Sequence, residues 1–398
     1  MSRTVLVLNA GSSSLKYSLV DVEGGTAPAT GLVERIGSAQ ARLWHRGPGG
    51  EKSSQRPIAD HTQALRAALD AFAEHGPNLR ECGLAAVGHR VVHGGERFTS
   101  AVLLDDEVAT AIDELSALAP LHQPPNLEGI QVARKAFPQL PQVAIFDTAF
   151  HSTLPPRAYT YAVPREWQRK HGVRRYGFHG TSHAYVSQEA VRFLGLDPQR
   201  ANVVVLHLGN GASACAVSGG RSIDTSMGLT PLQGLVMGSR SGDLDPAVVA
   251  HLVRTAGMTL DEVDEALNRA SGLKGLAGDN DLRTVQQAAE QGDAAAVLAL
   301  DVYCYRIRQY VGAYYATLGH LDAIAFTGGV GENSARTRSG VLTGLEDLGI
   351  ELDAERNQAQ DQEARRISTQ GSRVAVLVVP TNEELQIARQ SVAVLDGA

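Results

Sequence analysis

The sequence predicts an α/β protein of two similar lobes, each carrying a Gly- and Ser-rich hairpin turned toward an anion. Two observations carry this reading. LNAGSSS at Leu8–Ser14 and LGNGASA at Leu208–Ala214 read almost as copies, two hundred positions apart and so half the chain's length. Each follows an apolar β-branched run, VLVL or VVVLH, and each precedes a second run of strand-like period two. Gly and Ser backbone amides in such turns can hold a phosphate, so the repeat describes duplicated lobes with a nucleotide cleft between them. Segments of strand and helix character also alternate along the chain, which implies α/β layers.

The 398 residues exceed the size at which one hydrophobic core stops growing, and two domains follow. The first opens with strand, turn and strand; taken alone, the turn after Asn9 reads either as a plain hairpin of type I′ character or as a phosphate grip. A polar, Gly-rich stretch from Arg42 to Ser54 reads as an exposed hairpin or loop. HTQALRAALDAFAEHG, from His61, has helical spacing and stops at Gly76. LAAVGHRVVHGG then reads as strand into loop, DEVATAIDELSALAP as a helix ended by Pro120, NLEGIQVARKAFP as a further helix and QVAIFDTAFH as a strand entering a loop. The prolines of TLPPRAYTYAVP interrupt regular structure near Thr153, which divides an N-terminal lobe, residues 1–152, from a C-terminal lobe, residues 153–380. The second lobe restarts at VVVLHLGNG, carries a long amphipathic stretch from Ala288 to Leu318, and reaches the strand AIAF followed by TGGVGENS. VAVLVVPTNEELQIARQSVAVL supplies a last strand and a closing helix.

Composition removes several function classes. A net charge of −7 without Lys or Arg tracts leaves no footprint for nucleic acid, and no apolar run is long enough to cross a membrane. Cys82, Cys215 and Cys304 have neither CxxC nor paired spacing, so they read as buried small hydrophobes rather than a disulfide framework or zinc cluster. MSRTVLVLNAG lacks the charged and apolar regions of a signal peptide, and a cytoplasmic enzyme is expected.

Several residues carry chemistry at strand ends. The three serines and Lys16 after Asn9 place more hydroxyl and charge at the first turn than a hairpin requires, which favours phosphate gripping. FTGGVGENS brings a strand, a Gly-rich turn and a helix start together, the ingredients for a close backbone approach to a nucleotide. Arg90 in GHRVVHGGE and Arg240 in MGSRSGDLD sit in Gly-rich loops. Singly each reads as a surface or salt-bridging arginine; two such guanidinium forks suit a clamp on carboxylate and phosphoryl oxygens. His179 in RRYGFHGTSH is either a helix cap or a donor to a phosphoryl in flight, and its i, i+4 relation to His183 is a weak metal signature because Gly180 intervenes. His122, before two prolines that stiffen its loop, is a similar candidate. Asp147 closes an apolar strand, so it pairs with an arginine or serves as a base or metal partner. Glu383 and Glu384 begin the last helix under a Thr381 or Asn382 cap, and one of them can hold Mg²⁺ together with Asn9.

Taken together, NAGSSSLKYSL, GHRVVHGGE, APLHQPPN, FDTAFH, RRYGFHGTSH, HLGNGAS, DTSMGLTPLQGLVMGSRSGDLDP, SGLKGLAGDNDLR, FTGGVGENS and PTNEEL resemble the acetate kinase family, in the family's order. The resemblance runs from Asn9 to Leu385. It implies the duplicated, ribonuclease H-like actin fold shared by acetate and sugar kinases and heat-shock ATPases. It implies further that residues 381–398 return to complete the first lobe and that the second lobe joins a homodimer. The implied activity is reversible phosphoryl transfer from ATP to acetate, giving acetyl phosphate and ADP, with propionate kinase as the alternative. By matching motif positions, Asn9 and Glu383 hold Mg²⁺, for which Mn²⁺ can substitute, and Lys16 contacts the phosphates. Arg90 binds the carboxylate, with Val92, Leu121, His122, Phe178 and Pro231 around the acetate and its methyl group. Arg240 and His179 stabilise the transition state, and Asp147 takes the family's acid/base position. His207, Leu208, Gly209, Asn210 and Gly211, with Asp281, Leu282, Arg283, Gly329, Val330, Gly331, Glu332 and Asn333, line the ATP site. Acetate, already ionised at neutral pH, needs no base, so Asp147 is expected chiefly to orient an arginine or a metal-bound water. Three positions depart from the family pattern: Gln123 for Asn, Ser239 for Thr, and Lys274 where an apolar residue is common.

Overall fold

The computed structural model describes residues 3–79, 81–120 and 122–397. The chain forms two compact units, Met1–Phe150 with Asn382–Ala398, and His151–Thr381.

The first unit is built on an eight-stranded sheet of order β5-β4-β3-β2-β1-β6-β8-β7. Its strands are β1 (Thr4–Gly11), β2 (Ser14–Asp21), β3 (Thr26–Glu34), β4 (Ser38–Gly47), β5 (Gly50–Ile58), β6 (Leu84–Val91), β7 (Val102–Leu103) and β8 (Gln142–Phe146). The stretch from Arg42 to Ser54 is thus the β4–β5 hairpin. β1 runs antiparallel to β2 and parallel to β6, which in turn runs parallel to β8. Buried on both faces, such central strands need continuous apolar runs, and TVLVL and QVAIF supply them. The β1–β2 turn is Ser12–Ser13, between the paired Gly11 and Ser14. It is not type I′. That turn needs positive φ at both central residues, and among the described non-glycine residues only Arg35 and His179 have it.

The helix His61–His75 starts where Asp60 accepts a hydrogen bond from the Gln63 amide at 2.8 Å, and it ends at Gly76. It buries Ala64, Leu65, Ala68 and Phe72 against Leu8, Tyr17, Val33 and Leu43 of the sheet. A second helix begins at Gln123, earlier than its apolar spacing suggests, because Pro124 and Pro125 occupy its first turn instead of stiffening a loop. The C-terminal helix Glu383–Asp396 packs on β1, β6 and β8. It approaches closely at Gly88, where a Cβ would meet Ser391 Oγ at 2.6 Å.

The second unit holds a six-stranded sheet of order β11-β10-β9-β12-β14-β13. Its strands are β9 (Asn202–Leu208), β10 (Ala212–Ser218), β11 (Arg221–Thr225), β12 (Ala323–Thr327), β13 (Arg365–Arg366) and β14 (Ala375–Val378). Within it, β11-β10-β9-β12-β14 repeats the pairing sequence of β3-β2-β1-β6-β8: antiparallel, antiparallel, parallel, parallel. The sequence repeat is therefore a repeat of topology. The stretch from Ala288 onward is two helices, Leu282–Glu290 and Ala294–Leu318, divided where Gly292 has φ +88° and Asp293 caps Ala295 and Ala296. Cys215 is buried as expected, whereas Cys82 and Cys304 are only half-buried.

After β12 the chain enters the short helix Gly328–Asn333 through Gly328, at φ +77°. A Cβ there would lie 2.7 Å from the Leu208 carbonyl oxygen. Gly328→Ala is expected to combine backbone strain with this clash and to cost about 2–4 kcal/mol, measurable as a fall in melting temperature. A melting curve unchanged from the wild type would show that β9 and the loop separate without cost.

Candidate active site

In the first unit the carboxyl ends of β1, β6 and β8 bring three predicted residues together. Arg90 is paired in register with Ile145, and Asp147 follows Phe146 at the end of β8, its amide donating to the Val91 carbonyl at 3.0 Å. Arg90 Nε donates to Asp147 Oδ1 at 3.0 Å, Nη2 donates to Oδ2, and Nη1 donates to Asn9 Oδ1 at 3.3 Å. The guanidinium is therefore forked onto a carboxylate that is only 1% exposed. Burial lifts the Asp147 carboxyl to about 6; Arg90 pulls it back down, and the nearby Glu383 adds to the rise. Glu383 opens the C-terminal helix, capped by Asn382, whose side chain accepts from the Leu385 amide at 3.0 Å. Lys16 forms an ion pair with Glu384.

The residues around Arg90 are fixed by one buried asparagine that the sequence reading passed over. Asn126 donates to the Ala10 carbonyl at 2.6 Å and accepts from the Val92 amide at 2.9 Å, tying the first hairpin to the loop after β6. Val92 is buried. Gln123 is buried and bonds both the amide and the carbonyl of His93. His122 precedes that helix at its N-cap, half-buried. Leu121 lies outside the described residues.

In the second unit His179 begins the helix Gly180–Leu194 with φ +56°, and its side chain makes no capping bond. Its Nδ1 instead meets Ser213 Oγ at 2.9 Å, and its ring lies 4.4 Å from that of His207. The strained backbone turns the imidazole toward the β9–β10 turn rather than along the helix. His183 Nε2 also meets Ser213 Oγ, at 2.7 Å, so the His179 and His183 pair is bridged by a hydroxyl. Arg240 lies beside this group: a Cβ on Gly211 would sit 3.5 Å from Arg240 Nη1 and 3.6 Å from His179 Nε2. Arg240 Nη1 reaches the Pro231 carbonyl at 3.4 Å, and the guanidinium has no carboxylate partner among the described residues. Burial lowers its pKa. Phe178 is buried, its carbonyl accepting from His151 Nε2 at 3.0 Å.

The remaining predicted residues surround the β9–β10 turn and the helix Gly328–Asn333. His207 Nδ1 is 2.8 Å from Ser182 Oγ, Leu208 is buried, and the Gly209 amide donates to the Gly211 carbonyl at 3.0 Å. Exposed Asn210 accepts from Asn280 at 3.3 Å, beside Asp281, which caps the helix from Leu282 and is forked onto Arg283. Gly329 and Val330 form the first turn after Gly328, and Asn333 donates to the Gly329 carbonyl at 2.9 Å. Glu332 accepts from the Gly328 amide at 2.9 Å and the Thr381 amide at 3.2 Å. Arg338, another residue missed in sequence, is buried and donates to the Gly331 and Glu332 carbonyls at 2.8 and 2.9 Å and to Asn357. The two further departures are local: Ser239 Oγ donates to the Asn268 carbonyl, and Lys274 reaches the Arg269 carbonyl from the surface.

A desolvated arginine beside His179 and Gly211 suits an anion, and a model of the acetokinase family matches residues 4–389. The chain belongs to the acetokinase family. It is 59% identical over 387 residues, 97% of this chain and 98% of the other, to an acetate kinase of Leifsonia xyli subsp. xyli. Among solved structures, Porphyromonas gingivalis acetate kinase is similar at a TM-score of 0.94 and 43% identity, covering 99% of this chain and all of that one. A propionate kinase from Francisella tularensis subsp. tularensis is similar at 0.92 and 42% identity, covering 98% and 99%. These similarities give the actin-like fold of the family, in accord with the repeated sheet topology. Among the described residues no helix is long and apolar enough to cross a membrane.

Proposed function

We propose that the chain is an ATP:acetate phosphotransferase. An acetate oxygen attacks the γ-phosphorus of ATP in line, the bond from that phosphorus to the β,γ-bridging oxygen breaks, and acetyl phosphate and ADP result; the reverse reaction follows the same path. The observation that carries this reading is Arg240, a largely desolvated guanidinium beside His179 and Gly211 with no carboxylate to neutralise it. Such a charge is costly to bury and is stabilised by an anion placed against it. Arg240 and His179 stabilise the transferring phosphoryl, while Arg90, held by Asp147, directs its donors to the acetate carboxylate. Val92, Leu121, His122, Phe178 and Pro231 accompany the acetate. The backbone from His207 to Gly211 and the segments Asp281–Arg283 and Gly329–Asn333 receive the nucleotide, and Lys16 reaches its phosphates.

The oxygen donors of Asn9 and Glu383 suit Mg²⁺ or Mn²⁺. Asn9 Oδ1 faces Arg90, and Glu383 acts electrostatically on both Arg90 and Asp147. No group of three or more His, Cys, Asp or Glu able to hold a metal exists among the described residues, which fits an ion that takes few protein ligands. Bound there, the ion would neutralise phosphate charge. Propionate is the second reading, favoured by the similarity to a propionate kinase; one extra methylene is worth only about 1–3 kcal/mol, so acetate is a preference. Three free cysteines fit a reducing, ATP-containing cytoplasm.

A hydroxamate assay with acetate, propionate and butyrate as acceptors is expected to give acyl phosphate, most of it from acetate, and none when divalent cations are chelated. Arg240→Ala should lower kcat by roughly 10²–10³-fold. No product from any of the three acids would refute the kinase reading.

Asp147 orients Arg90 only as an anion, so kcat/KM for acetate should fall as pH drops through about 6. Asp147→Asn should be slow and lack this acidic limb. A limb that persists in the variant would assign the titration to another group.

The second unit exposes Leu260, Leu298, Tyr305 and Trp167 at 67%, 58%, 60% and 50%, apolar surface that suits a homodimer joined through this unit. Light scattering after size exclusion should give twice the chain mass, and a monomer would remove this part of the reading.

A further inference from the structure

Four histidines crowd the second unit, with ring centroids of His151 and His183 5.6 Å apart, His183 and His207 6.3 Å, and His179 and His207 4.4 Å. Two of them share one hydroxyl. Ser213 Oγ lies 2.9 Å from His179 Nδ1 and 2.7 Å from His183 Nε2. A hydroxyl has one proton and two lone pairs. Ser213 is fully buried, and these two ring nitrogens are the partners its Oγ has among the described residues. Its proton is therefore satisfied only if it donates to one ring and accepts from the other. The direction of this chain decides which nitrogen of His179 carries a proton.

His183 sets the direction. It is fully buried and lies four residues along the helix from His179, where its amide donates to the His179 carbonyl at 2.9 Å. Burial, with His151 and His207 nearby, holds it neutral by lowering its pKa well below the usual value. Its Nδ1 is buried with no hydrogen-bond partner among the described residues. A proton on Nδ1 would be an orphaned buried N–H, which folded proteins rarely tolerate, whereas an unpaired acceptor is more readily accommodated. The proton of His183 is therefore on Nε2 and is donated to Ser213 Oγ. The Ser213 hydroxyl then donates to His179 Nδ1.

With Nδ1 accepting, the one proton of neutral His179 is on Nε2, the atom facing Gly211 on the side of Arg240. We propose that His183 and Ser213 are positioning residues that fix His179 as its Nε2–H tautomer, presenting a hydrogen-bond donor at the β9–β10 turn. The inference rests on the reading of His179 as a donor to the transferring phosphoryl. That reading needs an N–H at Nε2, and the opposite tautomer would present a lone pair to an anion.

The test is long-range proton–nitrogen NMR of the full-length protein labelled with ¹⁵N-histidine, the His179 signals being assigned by their absence in His179→Gln. The wild type should show the Nε2-protonated pattern. Ser213→Ala should give a mixture of tautomers and a kcat lower by about 10-fold, with KM values for both substrates within about twofold. Ser213→Thr, which keeps the hydroxyl, should restore the pattern and most of kcat. An Nδ1-protonated His179 in the wild type, or an unchanged tautomer in Ser213→Ala, would overturn the proposal. A tautomer that shifts in Ser213→Ala while kcat stays constant would instead sink the reading of His179 as the phosphoryl donor, leaving the tautomer assignment standing.

Discussion

The buried ion pair between Arg90 and Asp147 is the constraint around which the first unit is arranged. Both residues stand at the ends of adjacent parallel strands, and the bond from the Asp147 amide to the Val91 carbonyl fixes their relative height. Replacing such a pair by well-packed apolar residues is often neutral or stabilising, while removing one partner costs about 3–5 kcal/mol. Fold stability alone therefore does not explain why the pair is present. Its geometry does: a forked carboxylate removes the rotational freedom of the guanidinium and leaves Nη1 pointing to Asn9. The C-terminal helix adds Glu383 to the same neighbourhood. That helix packs on β1, β6 and β8 with Leu385, Ile387, Ala388 and Val392 buried.

In the second unit Arg240 has no such compensating acid among the described residues. The loops around it are held by Arg338 on the Gly331 and Glu332 carbonyls, by the Glu332 carboxylate on the Gly328 and Thr381 amides, and by neutral bonds such as those of Ser213. The common topology places different chemistry at corresponding hairpins. In the first, Asn9 stands opposite Lys16; in the second, His207 stands opposite Ser213. Duplication thus supplied the frame and divergence the charges, the lysine of the first copy having no counterpart in the second.

Legibility in the sequence followed the range of the forces involved. Local patterns were readable: the helical spacing of His61–His75 and its stop at Gly76, the continuous runs of the central strands, and the strand-ending positions of Asn9, Arg90 and Asp147. Errors arose where one residue type serves two local structures. Pro124 and Pro125 can stiffen a loop or open a helix, and Ser12–Ser13 resembles a glycine turn while its side chains keep φ negative. Gly292 and Asp293 interrupt a helical pattern that continues in hydrophobicity on both sides. Ser213, Asn126 and Arg338 were not readable, because their partners are distant in sequence: 34 positions separate Ser213 from His179, and 116 separate Asn126 from Ala10.

The two site arginines differ in what they can contribute, and the difference matches the roles proposed for them, Arg90 toward the carboxylate and Arg240 toward the phosphoryl group. Arg90 has its charge largely neutralised by Asp147, so what it offers a ligand is direction more than field. That suits a monoanionic carboxylate, which must be aimed and must remain nucleophilic; a strong uncompensated cation would hold it too tightly in the ground state. Arg240 is uncompensated and partly desolvated, so its field is strong where the charge on a transferring phosphoryl group is redistributed. Exchanging these environments would work against both tasks. A paired Arg240 would stabilise the phosphoryl less, and an unpaired Arg90 would bind the carboxylate at the expense of its reactivity.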